Sequence, residues 1–137
     1  MTDSAPVIFW FRRDLRLADN AGLFHALSAG KPVLPLFIFD TEILEKLPSK
    51  NDSRVAFIHA QVAKLKSDLE AIGSSLLIKR GRPMQVFESL IEEFNVAGVF
   101  CNRDYEPAAR SRDKAVFDFL GAKNIPFKGF KDQVIFE

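Results

Sequence analysis

Short unbroken apolar runs alternate along this chain with longer stretches in which apolar residues recur every three or four positions. The first run, Val7 to Phe11 (VIFWF), offers no polar residue to turn toward water, as expected for a strand covered on both faces. Val33 to Phe39 (VLPLFIF) is a second such run. Pro35 has no backbone N–H to give a ladder, so the firm part of this strand is expected to begin after it. Leu76 to Lys79 (LLIK), Val99 to Cys101 and Pro126 to Phe130 supply further strand candidates, and Val134 to Phe136 a short last one.

The stretches between them carry helical spacing. Asp19 is placed to cap a helix whose inward residues include Leu23 and Leu27, with Gly30 as its terminator. A polar loop, Asp40 to Lys50, leads to the clearest helix, from about Asp52 to Ile72. There Val55, Ile58, Val62, Leu65, Leu69 and Ile72 fall at intervals of 3, 4, 3, 4 and 3, a single stripe ending at Gly73. Pro83 suits a first helical position, and the helix it opens is predicted to bury Val86, Phe87, Leu90, Ile91 and Phe94. Pro107 opens another, to about Leu120.

Strands separated by helices of this length need right-handed crossovers in a mostly parallel sheet. The pattern therefore predicts a doubly wound, Rossmann-like α/β domain whose five-stranded parallel sheet runs in the order 3-2-1-4-5, with helices on both faces. In that order strands one and four are neighbours whose crossovers leave to opposite sides. Ligands of such sheets bind in the crevice beyond the strand carboxyl ends at this switch point. The loops leaving strands one and four are FRRDLR and CNRDYEP, so the two densest polar clusters of the chain are predicted to face each other across one cleft.

Composition narrows what that cleft can hold. The 137 residues make one domain, without internal repeat, low-complexity tract or interior linker, and 47% hydrophobic with 27% charged residues is an ordinary globular balance. A net charge of +1 gives no long-range pull toward nucleic acid or membrane, so an anionic partner must be held by local geometry. The single cysteine, Cys101, excludes an internal disulfide and a multi-cysteine zinc site and fits a reducing compartment. The N-terminus lacks the order of a signal peptide and no segment approaches the length of a membrane span, so the protein is expected to be cytoplasmic.

Neither G-x-G-x-x-G nor G-x-x-x-x-G-K-[ST] is present, so the first turn makes no glycine cradle for a pyrophosphate. A serine–histidine nucleophile arrangement, H-E-x-x-H and a cysteine cluster are also missing. What remains is a cleft lined by arginines, carboxylates, an asparagine and aromatics, which suits a planar, heteroatom-rich ring. Asn102, Asp104 and Glu106 can hydrogen-bond its edge while arginine and backbone groups hold its acidic parts. A purely structural arrangement competes with this one: Asp14, Arg16 and Arg110 can form a buried ion-pair network tying the first loop to the helix after strand four, and Glu106 with Arg110 has the spacing of a surface pair.

Other conspicuous residues have ordinary expectations. His59, one position beyond the Ile58 stripe, reads as a boundary or surface histidine, and His25 likewise. Cys101 reads as an inert core thiol, and Trp10 with the fourteen phenylalanines as core packing. Arg103, Arg110, Arg112 and Lys114 are interleaved with Asp104, Glu106 and Asp113, the pattern of a solvated helix face.

Four separated motifs carry a more specific signal: FRRDLRLADN at Phe11 to Asn20, FIFD at Phe37 to Asp40, SRVAFI at Ser53 to Ile58 and NRDYEP at Asn102 to Pro107. In order and spacing they resemble the N-terminal α/β domain of the DNA photolyase and cryptochrome family, from about Pro6 to the last residue. Asp14, where animal cryptochromes and the photolyases nearest them tend to have glycine, implies kinship with bacterial cyclobutane pyrimidine dimer photolyases.

The resemblance implies a light-harvesting antenna chromophore in the cleft, a reduced folate, a deazaflavin or FMN. Carried over residue by residue, its pocket involves Arg12 and Arg13 after strand one, Asp40 after strand two, Arg54 at the start of the long helix, and Asn102, Asp104 and Glu106 after strand four. Asp14 and Arg16 match scaffold positions, and Asp19 and Arg110 remain structural.

Family members continue through a linker into a large helical domain that binds FAD, receives the flipped-out dimer and supplies the electron that splits it. Residues 1–137 are accordingly expected to be a non-catalytic fragment of a deoxyribodipyrimidine photolyase. Its partners would be the helical FAD-binding domain of the parent chain and, through the full-length protein, damaged DNA, with no membrane. A cryptochrome blue-light photoreceptor is the alternative within the family. A free-standing flavin- or nucleotide-binding module of electron-transfer flavoprotein type is the alternative outside it.

Overall fold

The computed structural model describes residues 5–12, 17, 21–28, 30–41, 53–102 and 107–130. Among the described residues nine elements alternate: β1 (Val7–Phe11), α1 (Ala21–Leu27), β2 (Val33–Asp40), α2 (Ser53–Ala71), β3 (Leu77–Gly81), α3 (Pro83–Glu93), β4 (Gly98–Asn102), α4 (Pro107–Ala122) and β5 (Phe127–Phe130). The strands form one parallel sheet in the order β3-β2-β1-β4-β5, as the alternation predicts.

Side-chain alternation along the strands divides the core into two layers. Val7, Phe9 and Phe11 of β1, Phe37 and Phe39 of β2 and Phe100 of β4 pack with Leu23 and Ala26 of α1 and Val62, Leu65 and Leu69 of α2. The intervening residues, Ile8, Trp10, Leu36, Ile38, Val99 and Cys101, pack with Val86, Phe87 and Leu90 of α3 and Val116 and Leu120 of α4. Every residue of β1 is therefore buried, which is why its sequence has no polar position. The crossover after β1 runs over the α1/α2 face and that after β4 over the α3/α4 face, so the switch point lies between β1 and β4.

Several expected boundaries shift for local reasons. β2 runs from Val33, as its apolar run predicts, with Pro35 opposite Phe9 and both neighbours paired only after Pro35, and it extends one residue further than expected, to Asp40. Pairing with β3 begins only at Leu36, so Pro35 stands where β2 has a neighbour on one side alone. Leu27, expected to point inward, is exposed, because it is the last residue of α1. Gly30, at φ 77°, belongs to the turn beyond that helix.

α2 closes as expected at Gly73, whose φ of 83° lets its N–H reach the Glu70 carbonyl while Ser74 N–H reaches that of Leu69. Ile72 falls in this turn and is exposed, as is Phe94, the C-terminal cap of α3. α4 ends in the same motif, with Asn124 in the left-handed conformation and Ile125 N–H on the Leu120 carbonyl. The cap expected at Asp19 and the short strand expected at Val134 to Phe136 lie outside the described residues.

One close approach fixes α1 against the sheet. A Cβ built on Gly22 would lie 2.7 Å from Asn102 Oδ1, 2.8 Å from the Phe9 ring and 3.1 Å from the Cys101 carbonyl carbon. Backbone on one side and a buried ring on the other leave little room to yield. Gly22→Ala is expected to destabilise the fold by about 1–3 kcal/mol. Gly121→Ala, on α4 where an added Cβ meets nothing within 4 Å, is expected to add up to about 1 kcal/mol. Urea midpoints moving in opposite directions for the two variants check both.

Candidate functional site

Arg12, the first residue after β1, continues the Ile8 and Trp10 side of the strand and so emerges toward α4. Its guanidinium carbon lies 5.0 Å from the centre of the Trp10 ring. Nη1 donates to Asp113 Oδ1 on α4, and Nη2 donates to the backbone carbonyl of Asn102 at the end of β4. The side chains are only 6% exposed at Arg12 and 20% at Asp113, so the pair is taken largely out of water.

A second guanidinium meets the same ring. Arg112 places its guanidinium carbon 5.3 Å from the Trp10 centre, and its Nη1 donates to Asp40 Oδ2, at the end of β2, over 3.3 Å. These side chains are 16% and 8% exposed. Arg112 Nε lies 3.6 Å from Asp113 Oδ1, too far for a hydrogen bond, and is a buried donor without an acceptor among the described residues. Arg12, Asp113, Arg112 and Asp40 thus alternate in sign around one indole, and their formal charges cancel.

Magnitudes decide which ion pairs matter. The i,i+4 pairs Lys64–Asp68, Lys66–Glu70 and Lys114–Asp118 are solvent-exposed and contribute about 0–1 kcal/mol each. Removing one partner from a buried pair strands its counter-charge, at a cost of about 3–5 kcal/mol. The cluster on Trp10 is of the second kind, and each guanidinium gains a further cation–π contribution there.

Asn102 leaves β4 on the opposite side. Its Oδ1 accepts a hydrogen bond from the Gly22 backbone N–H of α1 at 2.7 Å, satisfying a donor of the first helical turn that would otherwise go unpaired. Strand β4 thereby serves both layers at once, its last carbonyl turned to Arg12 and its last side chain to α1.

The structure brings three of the expected pocket residues, Arg12, Asp40 and Asn102, to the carboxyl edge of the sheet. Each makes internal contacts there: Arg12 and Asp40 with α4, Asn102 with α1. Arg54 and Arg110 occupy the first turns of α2 and α4, and their side chains lie outside the described residues. Arg13, Asp14, Arg16, Asp19, Asp104 and Glu106 also fall outside them. His25 and His59 are exposed, as expected, and stack on Phe130 and Phe39 with ring centres 4.2 and 4.6 Å apart.

Arg112 and Asp113 correct the expectation of a solvated helix face. They stand four and three positions before Val116, so they extend the inward Val116–Leu120 stripe of α4 by one turn. That periodicity was the available signal, and their polar character concealed it. Lys114, the next residue, does face solvent.

Residues 7–137 match the family model described as DNA photolyase. A deoxyribodipyrimidine photo-lyase from Synechococcus sp. is 33% identical over 132 residues, which cover 96% of this chain and 27% of that protein. The crystal structure of a bacterial class III photolyase from Agrobacterium tumefaciens superposes on the whole chain with a TM-score of 0.85 at 32% identity, over 28% of its own length. An archaeal photolyase from Sulfolobus tokodaii gives a TM-score of 0.84 at 35% identity, over 92% of this chain and 29% of its own. The chain thus spans little more than a quarter of the length of these relatives, and over that span sequence and fold agree: it belongs to the DNA photolyase family.

Proposed function

We propose that this chain acts as the antenna-binding domain of a deoxyribodipyrimidine photolyase, which repairs cyclobutane pyrimidine dimers in DNA with light. In this role it holds a light-harvesting chromophore beside the switch point and presents it to FAD bound by a helical domain of the parent protein. One observation supports the reading above others: the structural superposition on a bacterial photolyase covers the whole chain, so it includes the switch point between β1 and β4. The Sulfolobus tokodaii photolyase is described as containing two FAD molecules, with the implication of a novel light-harvesting cofactor.

The donor set fits such a group. The crevice lies where an α/β sheet of this order binds ligands. The described strand ends there carry guanidinium, carboxylate and amide groups packed on Trp10, a chemistry suited to a planar ring with a hydrogen-bonding edge. In this proposal Arg13, Arg54, Asp104 and Glu106 contact the chromophore. Arg12, Asp40 and Asn102, already engaged with α4 and α1, form the floor and fix the strand exits.

When bound, the chromophore supplies light absorption and excitation transfer. The protein's part is to hold a fixed orientation and exclude water, which needs rigid strand ends and no acid, base or nucleophile.

Titrating the purified chain with tetrahydrofolate, a deazaflavin, FMN and FAD, followed by absorbance and fluorescence, tests this reading. Saturable binding of one of them is expected. Asp104→Ala and Glu106→Ala should each weaken it at least tenfold, about 1.4 kcal/mol, with an unchanged melting temperature. Failure of all four to bind would overturn the antenna role, and unfolding of the two variants would return Asp104 and Glu106 to the scaffold.

A further inference from the structure

We propose that Arg112 and Asp113 of α4 are positioning residues for the antenna site, setting the exits of β1 and β2 from which the chromophore-contacting loops depart. This inference rests on the antenna reading. Its basis is the convergence of three strand ends on two adjacent residues of one helix. Asp113 holds Arg12 at the end of β1, Arg12 in turn holds the Asn102 carbonyl at the end of β4, and Arg112 holds Asp40 at the end of β2.

The loops that carry Arg13 and the polar segment after Asp40 therefore start from side chains anchored to α4. The same helix begins at Pro107, directly after the segment containing Asp104 and Glu106. A shift of α4 would move all three rims of the crevice together.

The chemistry makes this a coupled unit. Two guanidiniums can share the Trp10 ring only while carboxylates neutralise them, since their mutual repulsion would otherwise be felt in a poorly solvated place. Asp113 stands between them, bonded to Arg12 and 3.6 Å from the unsatisfied Nε of Arg112. Loss of either α4 residue therefore disturbs both strand exits. Residues that act through one another give non-additive effects when changed together.

The test uses the 137-residue chain and whichever of tetrahydrofolate, a deazaflavin, FMN or FAD it binds. Dissociation constant, absorption maximum of the bound chromophore and thermal melt are measured for Arg112→Met, Arg112→Lys, Asp113→Asn, Asp40→Asn and the Asp40→Asn/Arg112→Met double variant. Arg112→Met is expected to remain folded, to weaken binding at least tenfold and to shift the bound absorption maximum. Arg112→Lys should restore part of the affinity, and the double variant should bind no more weakly than Arg112→Met.

Should Arg112→Met fail to fold, Asp113→Asn, which keeps the shape of the side chain, carries the same expectation. Wild-type affinity and absorption maximum in a folded Arg112→Met or Asp113→Asn variant would overturn this inference alone. So would losses from Asp40→Asn and Arg112→Met that simply multiply. A wild-type chain that binds none of the four probes would overturn the antenna reading and this inference with it.

Discussion

A guanidinium buried against an indole at the end of the central strand imposes most of what is distinctive here. Arg12 cannot leave water without a counter-charge, and the strand that delivers it is itself wholly apolar. The carboxylate comes from α4, 101 residues away in sequence, and arrives with an arginine beside it that needs a carboxylate of its own. Asp40 supplies that at the end of β2. The neutral chain Arg12–Asp113–Arg112–Asp40 thus links two strand ends to one helix, and the Arg12 bond to the Asn102 carbonyl adds a third.

On the other side of the sheet the constraint is steric. Gly22 brings the first turn of α1 against Phe9 and the backbone of β4, close enough for Asn102 to bond its N–H. The two devices occupy opposite faces because successive residues of a strand point in opposite directions: Arg12 and Asp40 follow Trp10 and Ile38 toward α4, while Asn102 follows Phe100 toward α1. Both act at the switch point, where the crossovers after β1 and β4 leave to opposite faces of the sheet. A chromophore held there would rest on strand ends locked from both faces, the rigidity that orientation-dependent excitation transfer requires.

The sheet was legible because its strands are continuous apolar runs and its crossovers admit one handedness. The end of α2 was legible because Gly73 marks it, and that of α4 was placed near Leu120, two residues short of Ala122, because the left-handed position there falls to Asn124, a residue that also serves many other turns. Leu27, Ile72 and Phe94 continue a stripe past the point where the helix stays on the sheet, so counting alone placed them inward.

At the site, the motifs located the strand exits but not the partners of the side chains there. Arg12 and Asp40 have the residue types of ligand contacts and of scaffold alike, and only the fold brings Arg112 and Asp113 to them. The inward stripe of α4 contains both residues by spacing, and their charge hides that in a sequence where charge usually marks solvent.

A crystal structure of the chain with an added antenna chromophore bound decides whether the site lies at these strand ends. The ring is expected at the carboxyl ends of β1 and β4, bordered by the loops after Arg12 and Asn102, with Arg12 still on Asp113 and Arg112 still on Asp40. A ring bound elsewhere, or one reached by Arg12 and Arg112 after they abandon their carboxylates, would contradict this expectation.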